Sequence, residues 1–369
     1  MKSFLLISAW LTLGIHAAEN KTIVLSPGKA LASELETAVA TVKTGRANLI
    51  AFTAGEFKID KPLQFHLPFG HPGLRFQGTG CGITQLLFHE VKAAISIHLD
   101  TRITHTESNP SLIVEDLSMI ATGKCGTAIN LQPGVPDHRV GIAHKRFHNL
   151  MIQGRNGSWT TGIQADDLAF CTFRDLNLRL PRKDSTGIHL TGASAPVDHH
   201  FDGIRILGGE TGIRITGTVE GVYLSQITMI GTGTGIDWDT TSHEPLLSLS
   251  RSHISARSTC VRANNLLQAI ITGNLFYQAD PQLPWTGIHL RTENPTPFDL
   301  HQISNNTFHG HPKHSSPNSG LNISAASSGA IANNIFSATD IGIRLGGNAS
   351  KLEPVDSVFK NTTTKLARQ

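Results

Sequence analysis

A five-residue unit in which apolar and polar positions alternate recurs nine times along the chain. Its second and fourth residues are apolar in every copy, and its third and fifth residues are mostly polar. This period of two is typical of a β-strand that buries one face and exposes the other. The copies lie at residues 128–132, 162–166, 187–191, 212–216, 235–239, 260–264, 287–291, 320–324 and 342–346.

A second unit, with apolar residues five positions apart, interleaves with the first. Its copies lie at 147–152, 173–178, 201–206, 224–229, 271–276, 303–308 and 331–336. The first unit returns every 22 to 34 residues, a spacing typical of solenoid repeats. Because the repeats contain short strands and no helical periodicity, they predict an all-β solenoid, a β-helix. We expect one elongated domain over residues 19–369.

The N-terminal residues 1–18 have the pattern of a secretory signal. Lys2 supplies a positive charge, and residues 4–15 form an apolar run too short to span a bilayer. Ala17 and Ala18 are small residues suited to cleavage. A buried N-terminal strand is the alternative interpretation. The signal predicts a secreted or periplasmic protein that has no membrane partner once the signal is removed.

Residues 29–45 carry the one clear helical pattern. Leu31, Leu35, Val39 and Val42 fall on one face together with Ala38, and Gly45 follows the helix. The open end of a solenoid exposes its core and unpaired strand edges. We therefore predict that this helix caps the N-terminal end of the β-helix.

The composition agrees with a coiled all-β chain. Glycine accounts for 35 residues and aromatic residues for 6%, and the net charge is +3 with a sequence pI near 8.7. This mild excess of positive charge favours an anionic partner. The chain has no phosphate-binding loop, metal motif or nucleophile elbow, and we expect no nucleic-acid partner. The four cysteines, Cys81, Cys125, Cys171 and Cys260, are far apart; buried thiols are expected, with one disulfide as the alternative.

The segments that follow the helix carry a family resemblance. GEFKIDKPLQF at 55–65 and GLRFQGTGCGITQLL at 73–87 resemble the opening coils of pectate-lyase-like right-handed parallel β-helix proteins. That superfamily includes pectate lyases, polygalacturonases, alginate epimerases and phage tailspikes. The resemblance implies a single-stranded right-handed parallel β-helix with an N-terminal capping helix, and a polysaccharide as partner.

The motifs that distinguish activities within the superfamily are missing. The Asn-Thr-Asp and Gly-His-Gly motifs of polygalacturonases and the Asp-Pro-His-Asp type of motif of alginate epimerases do not occur. Arg179-Leu180-Pro181 resembles the Arg-x-Pro element of pectate lyases, but the residues around it do not extend the match. The sequence assigns no cofactor and leaves a calcium requirement open.

The polar positions of the first unit predict a ladder of outward side chains. If the apolar positions are buried, the third and fifth residues must face outward, and stacked coils place them in two columns about 4.8 Å per rung. The first column is Asn130, Gln164, His189, Arg214, Asp237, Arg262, His289, Asn322 and Arg344. The second column is Gln132, Asp166, Thr191, Thr216, Asp239, Asn264, Arg291, Ser324 and Gly346.

Charged residues concentrate in the middle of this ladder, where we predict the functional site. The candidate catalytic residues are His189, Arg214, Asp237, Asp239 and Asp166. The candidate substrate-binding residues are Arg262, His289, Arg291, Trp159 and Trp285, with the two tryptophans stacking on sugar rings. The alternative is a solvated sheet face whose charges satisfy one another. A rival cluster comprises Arg174, Asp198, His199, His200, Asp202 and Arg205.

Two chemistries fit the ladder. β-Elimination from a uronic-acid polymer needs a cation for the carboxylate and a base for the α-proton, which are roles for Arg214 and His189. Inverting hydrolysis needs two carboxyl groups roughly 6.5–9.5 Å apart, and Asp237 and Asp239 lie two residues apart on one strand. A glycan-binding or adhesin β-helix without catalysis is the third hypothesis, because one fold hosts all of these functions. We expect the lyase.

Overall fold

The computed structural model describes residues 22–28, 31–100, 109–133, 144–242, 245–292, 300–324, 328–347, 349 and 352–368. The predicted signal at residues 1–18 lies outside this part of the chain. No helix in the described ranges has the length and apolar character needed to cross a membrane.

Short strands dominate the described residues. In chain order the elements are β1 (Thr22–Leu25), α1 (Leu31–Lys43), β2 (Leu49–Phe52), β3 (Gly55–Ile59), β4 (Leu63–Leu67), β5 (Leu74–Gln77), β6 (Thr84–Phe88), β7 (Ala93–Leu99), β8 (Leu112–Ala121), β9 (Lys124–Pro133), β10 (Lys145–Gly154), β11 (Ser158–Asp166), β12 (Cys171–Leu180), β13 (Thr186–Gly192), β14 (His199–Asp202), β15 (Arg205–Gly208), β16 (Thr211–Gly217), β17 (Gly221–Ser225), β18 (Thr228–Thr240), β19 (Leu246–Ser250), β20 (His253–Asn264), β21 (Gln268–Thr272), β22 (Leu275–Gln278), β23 (Trp285–Arg291), β24 (Leu300–Ser304), β25 (Thr307–His309), β26 (Asn318–Ser324), β27 (Ser328–Ala332), β28 (Ile335–Ser337), β29 (Ile341–Gly346), β30 (Pro354–Val355), β31 (Val358–Lys360) and β32 (Thr364–Arg368).

Successive coils pair in parallel and build three sheets, which we call I, II and III in the order in which each coil visits them. Sheet I contains β1, β2, β5, β14, β17, β19, β21, β24, β27, β30 and the first halves of β8, β10 and β12. Sheet II contains β3, β6, β15, β22, β25, β28, β31, the second halves of β8, β10 and β12, and the first halves of β18 and β20. Sheet III contains β4, β7, β9, β11, β13, β16, β23, β26, β29, β32 and the second halves of β18 and β20. The predicted parallel β-helix is confirmed.

The corner between sheets I and II is made in the same way in ten consecutive coils. One residue of each coil takes a positive φ there, which turns the chain sharply from one sheet into the next. These residues are Asp116, Asn149, Asp175, Gly203, Gln226, Arg251, Gly273, Asn305, Asn333 and Asp356. Beside this corner, the buried amides of Asn274, Asn306 and Asn334 bond from coil to coil at 3.0–3.1 Å. This amide ladder satisfies polar groups that would otherwise be costly to bury.

The interior is a set of stacked apolar columns. In sheet III the isoleucines of the first sequence unit are fully buried and in register, as predicted: Ile163, Ile188, Ile213, Ile236 and Ile288. Phenylalanine rings stack in a second column, with Phe276, Phe308 and Phe336 4.8–5.2 Å apart between ring centres. The register of the apolar residues therefore fixes which side chains face outward.

A glycine column lies beside the isoleucines of sheet III. Strand pairing passes from Thr211–Thr234 to Ile213–Ile236 and leaves no pair at the glycine between them. A Cβ on Gly212 would lie 2.6 Å from the carbonyl oxygen of Gly235 and 2.6 Å from the sulfur of Met229. A side chain at Gly212 would therefore require the neighbouring coil to shift, although Ala128 and Cys260 occupy the corresponding position in their own coils.

The helix α1 covers the N-terminal end of the stack. It packs against β1 and β4, and its residues Leu31, Leu35, Ala38 and Val42 join the hydrophobic core. Val39 is partly buried against the same core. The prediction of a capping helix is confirmed, with Leu31–Lys43 as its described extent.

Three ionisable side chains are buried on adjacent coils of sheet I. Lys145 pairs with Cys171 along the sheet, and His199 follows one coil later. Burial lowers the pKa of Lys145 to about 8 and raises the pKa of Cys171 to about 11. Burial, together with the charges of Lys145 and His200, lowers the pKa of His199 to about 3, so its imidazole is neutral. All four cysteines are free thiols, and Cys81 alone among them is not fully buried.

Candidate functional site

The outer face of sheet III carries the predicted ladder. Strand pairing joins Gln164 to His189, His189 to Arg214, and Arg214 to Asp237. It continues from Asp237 through Arg262 to His289. In the second column Thr216 pairs with Asp239, Asp239 with Asn264, and Asn264 with Arg291. The structure thus places these residues on successive rungs, as the sequence predicted.

His189 is a half-buried imidazole in the middle of the face. Its Nε2 shares a hydrogen bond with Oγ1 of Thr216 at 3.0 Å, diagonally across one rung. Burial and the neighbouring charge of Arg214 lower the pKa of His189, whereas Asp166 and Asp237 act against that shift. The imidazole is therefore neutral at neutral pH and able to accept a proton.

Arg214 is the exposed cation next to His189 on the following coil. Within the described ranges, its guanidinium has no ion-pair or hydrogen-bond partner. A guanidinium in this state keeps all of its donors for a ligand, and its planar fork matches a carboxylate. His189 and Arg214 together offer a neutral base beside an unpaired cation.

Asp237 is engaged with its neighbour on the next coil. Only 10% of its side chain is exposed, and Nε of Arg262 donates to its Oδ1 at 2.8 Å. This hydrogen bond raises the pKa of Arg262. The pair is mutually neutralised, and a proton-transfer role for Asp237 would have to break it.

The two other carboxylates of the face are more open. Asp239 is exposed and accepts a hydrogen bond from Nδ2 of Asn264 at 3.4 Å. Asp166 is half-buried and accepts one from Nε2 of Gln164 at 3.0 Å. Both bonds come from neutral amides, so each carboxylate keeps its charge available to a ligand.

Positive charge increases towards the C-terminal coils of the face. The pKa of His289 is lowered by burial and then by the charges of Arg291, Arg262 and Arg344. Arg291 is exposed in the second column. This end of the face is therefore a basic surface with a neutral histidine, which suits an anionic chain laid along the coils.

The prediction that Trp159 and Trp285 stack on a substrate is wrong. Their exposed fractions are 0% and 1%, and the indole nitrogen of Trp159 donates to the carbonyl of Gln153 at 3.0 Å. Both residues precede the glycine column, where strand pairing is interrupted and side chains no longer alternate between the inner and outer faces. Their rings turn into the core, where each buries roughly 150–250 Å² of surface.

The rival cluster does not form one site. His199 is 1% exposed and faces the core, so it is wrong to place it on the surface. Arg174 and Asp202 lie on sheet I, whereas Arg205 lies on sheet II beyond the sharp corner. Residues 134–143 and 293–299, which follow two strands of sheet III, lie outside the described residues. The loop after Gln278 is held by hydrogen bonds from the side-chain amide of Gln278 to the carbonyls of Asp280 and Leu283.

The structure extends the ladder towards the N-terminus, which the sequence reasoning missed. Gln64 and Ser96 continue the first column, and His66 and His98 continue the second. Nε2 of His66 lies 3.0 Å from a carboxylate oxygen of Asp100. The alternating segments at 63–67 and 93–99 carried this signal. In the described part of the chain, no three His, Cys, Asp or Glu side chains are grouped so that they could hold a metal ion.

Comparisons with known proteins identify the fold of the chain but no specific activity. No known family profile matches the sequence, and no curated protein matches it significantly. Among solved structures, the A-module of a mannuronan C-5 epimerase from Azotobacter vinelandii is similar, with a TM-score of 0.53 and 13% identity over 90% of this chain and 94% of that one. Tailspike protein 3 of bacteriophage CBA120 is similar with a TM-score of 0.53 and 10% identity, over 91% of this chain and 56% of the tailspike.

These likenesses concern the fold, which in the described residues consists of parallel sheets with one helix near the N-terminus. At this level of identity they speak for architecture, because a fold hosts many activities. In its fold, therefore, the chain is a right-handed parallel β-helix.

Proposed function

We propose that this protein acts on an acidic, uronate-containing polysaccharide and cleaves it by β-elimination on the outer face of sheet III. The observation that carries the proposal is the juxtaposition of His189, whose pKa is lowered, with the unpaired guanidinium of Arg214 on the next rung. The basic surface around His289 and Arg291 suits an anionic polymer. The similar mannuronan C-5 epimerase, by its name, also acts on a uronate polymer.

The two residues divide the reaction between them. Arg214 binds the uronate carboxylate and stabilises the negative charge that spreads onto it when the α-proton leaves. His189 takes that proton. The electrons of the broken C–H bond form the new C=C bond, and the C–O bond to the neighbouring sugar breaks. The departing oxygen takes a proton from water, and the hydroxide that remains takes the proton from His189, which restores the neutral imidazole.

Inverting hydrolysis is the weaker candidate because of how Asp237 is held. A hydrolase needs one carboxyl group that carries a proton and one that activates water. Asp237 is occupied by its ion pair with Arg262, and its side chain is only 10% exposed. Asp239 alone does not supply both roles.

The cellular location is part of the proposal. The predicted signal at 1–18 would bring the protein to the periplasm or the outside of the cell, where acidic polysaccharides are accessible. Sequencing the N-terminus of the exported protein tests this: a mature chain that begins after Ala18 supports it, and a chain that begins at Met1 contradicts it.

The first experiment is incubation with uronate polymers and with neutral glucans. Unsaturated, ultraviolet-absorbing products support elimination, and new reducing ends without them indicate hydrolysis. Inversion at C5 without cleavage would assign an epimerase that uses the same proton removal. Binding without any product would assign a glycan-binding protein.

The second experiment compares variants on the polymer that is turned over. We expect Arg214→Ala and His189→Ala to lower turnover about 100- to 1,000-fold, because each removes a group that acts in the transition state. Asp239→Asn should be milder. Arg146→Ala, an exposed arginine on sheet I, is the matched control. Loss of turnover in Asp237→Asn and Asp239→Asn, with full activity in Arg214→Ala, would favour hydrolysis instead.

A further inference from the structure

A groove of about 440 Å³ lies where sheet II turns into sheet III. It is lined by the end of β12 and the turn that follows it, residues 179–183, and by Gly208, Gly209 and Arg257. The groove is outside the ladder described above. Four of the residues that line it are basic: Arg179, Arg182, Lys183 and Arg257.

Two glycines keep the groove open. Gly208 and Gly209 have φ values of 76° and 85°, a conformation that residues with side chains rarely adopt. A Cβ on Gly208 would lie 2.5 Å from the carbonyl oxygen of Leu180, and one on Gly209 would lie 3.0 Å from that of Ser185. The backbone therefore closes tightly behind the groove while no side chain fills it.

Two of the four basic groups are held in place by the protein. The guanidinium of Arg257 donates to the carbonyls of Gly231 at 2.6 Å and Gly209 at 3.2 Å, and it lies 3.3 Å from Oε2 of Glu210. Arg182 forms a two-point ion pair with Asp184, with Nε to Oδ1 at 2.7 Å. These contacts fix the shape of the walls before any ligand binds.

The other two basic groups are exposed and unpaired. Within the described ranges, neither Arg179 nor Lys183 has an ion-pair or hydrogen-bond partner. Asp184 and Glu210 are the carboxylates beside the groove, and each already faces an arginine. Four cations against two carboxylates leave a net charge of +2, with two cations free to meet an anion.

The groove lies at the edge where the strands of sheet III begin. The turn at 181–185 leads directly into β13, which carries His189. Ser185 and His189 are four residues apart, which is about 13 Å along a strand. A chain bound across His189 could therefore reach the groove with a neighbouring sugar, while the groove itself is too far from the imidazole to take part in proton transfer.

We propose that this groove is an anion-binding subsite that holds a carboxylate or sulfate group of an acidic polysaccharide, through Arg179 and Lys183. The identity of the polymer rests on the proposed function, but the site rests on its own walls and charges. The subsite binds the polysaccharide and sets its position along the coils, and it contacts a sugar remote from the bond that is broken.

The test is binding of the full chain to oligogalacturonate, measured by titration calorimetry at low and moderate salt. We expect Arg179→Ala/Lys183→Ala to weaken binding about 10-fold, because two charge-assisted contacts are lost. The matched control is Arg146→Ala/Lys360→Ala, which removes two exposed cations from elsewhere on sheets I and II. The control should stay within about 2-fold of wild type, since only general attraction changes.

Equal affinities of the two double variants would overturn the proposal. A second result would also overturn the proposal: inorganic sulfate binds to wild type but not to the groove variant, while both bind oligogalacturonate equally. The groove would then be a site for a free oxyanion. If a polymer is turned over, the groove variant should raise KM and leave kcat unchanged, whereas Arg214→Ala should lower kcat. The binding result therefore stands even if no polymer is cleaved and the proposed function fails.

Discussion

The buried ammonium group of Lys145 gives a sharp test of the structure. Lys145 is 0% exposed, and its Nζ donates to the carbonyl of Ala169 at 3.0 Å. Burial lowers the pKa of Lys145 from 10.5 to about 8, and the interaction with Cys171 acts in the opposite direction. At neutral pH the protein therefore folds around a charge that would be better solvated in the unfolded chain.

The cost follows from the two pKa values. The fall in the pKa of Lys145 from 10.5 to about 8 corresponds to a free energy of about 3 kcal/mol, at 1.36 kcal/mol per pH unit. Because the folded-state pKa is the lower one, protonation favours unfolding. The penalty is fully present below about pH 8, and it disappears as the pH rises from 8 to 10.5.

The perturbation is Lys145→Met, which keeps the length of the side chain and removes the charge. It also leaves the Ala169 carbonyl without this donor, at a cost of about 1–3 kcal/mol that does not depend on pH. We therefore expect wild type to gain stability relative to the variant, by about 3 kcal/mol, between pH 7 and pH 10.5.

The assay is urea unfolding followed by circular dichroism at several pH values in this range. Lys360→Met, at an exposed lysine of β31, is the control and should show a difference from wild type that is constant with pH. Comparing each variant with wild type at the same pH cancels the titrating groups that do not interact with Lys145. A Lys145→Met difference as flat as that of the control would refute the reasoning.

Four further predictions concern the core, the cap and the site. Gly212→Ala should lower the free energy of unfolding by about 1–3 kcal/mol, because the new Cβ would lie 2.6 Å from the Gly235 carbonyl oxygen. The control is Gly346→Ala, whose Cβ would lie 3.9 Å from the nearest atom, and it should unfold at the same urea concentration as wild type. Ile213→Ala should cost about 2–5 kcal/mol in the same assay, and a wild-type midpoint would contradict the buried register. Deletion of residues 29–45 should expose the first coil and cause aggregation in size-exclusion chromatography; a soluble monomer of equal stability would show that α1 is not a cap. Activity should fall as the pH is lowered, with a midpoint below pH 6.5, because His189 must be neutral to accept a proton. In an NMR titration, Arg214→Ala should raise the pKa of His189, because the charge of Arg214 helps to lower it. An unchanged or lower pKa would contradict the interaction between His189 and Arg214.

The alternating pattern of apolar and polar residues by itself determined the fold class and which side chains lie on the outer face of sheet III. Ile188 and Ile213 must be buried if the strands are to cover a core, and the period of two then forces His189 and Arg214 outward on neighbouring rungs. A fixed repeat makes the contacts along the stack almost local in the sequence, since each coil meets only the next. The capping helix was visible for a similar reason, because its apolar face lies within one continuous segment.

The tertiary structure decided whatever depends on how a coil bends between sheets. Trp159 and Trp285 precede the glycine column, where the alternation breaks, and only the packed coil shows that both rings turn inward. Asp237 forms an ion pair with Arg262, whereas Arg214 forms none with the described residues. This difference depends on how far each side chain reaches across a rung, which the spacing of residues in the sequence does not predict. The groove beside Arg179 is lined by residues from four coils, and the backbone of Gly208 and Gly209 closes behind it. Strand periodicity fixes the face of a residue, whereas partners, burial and cavities are properties of the packed coils.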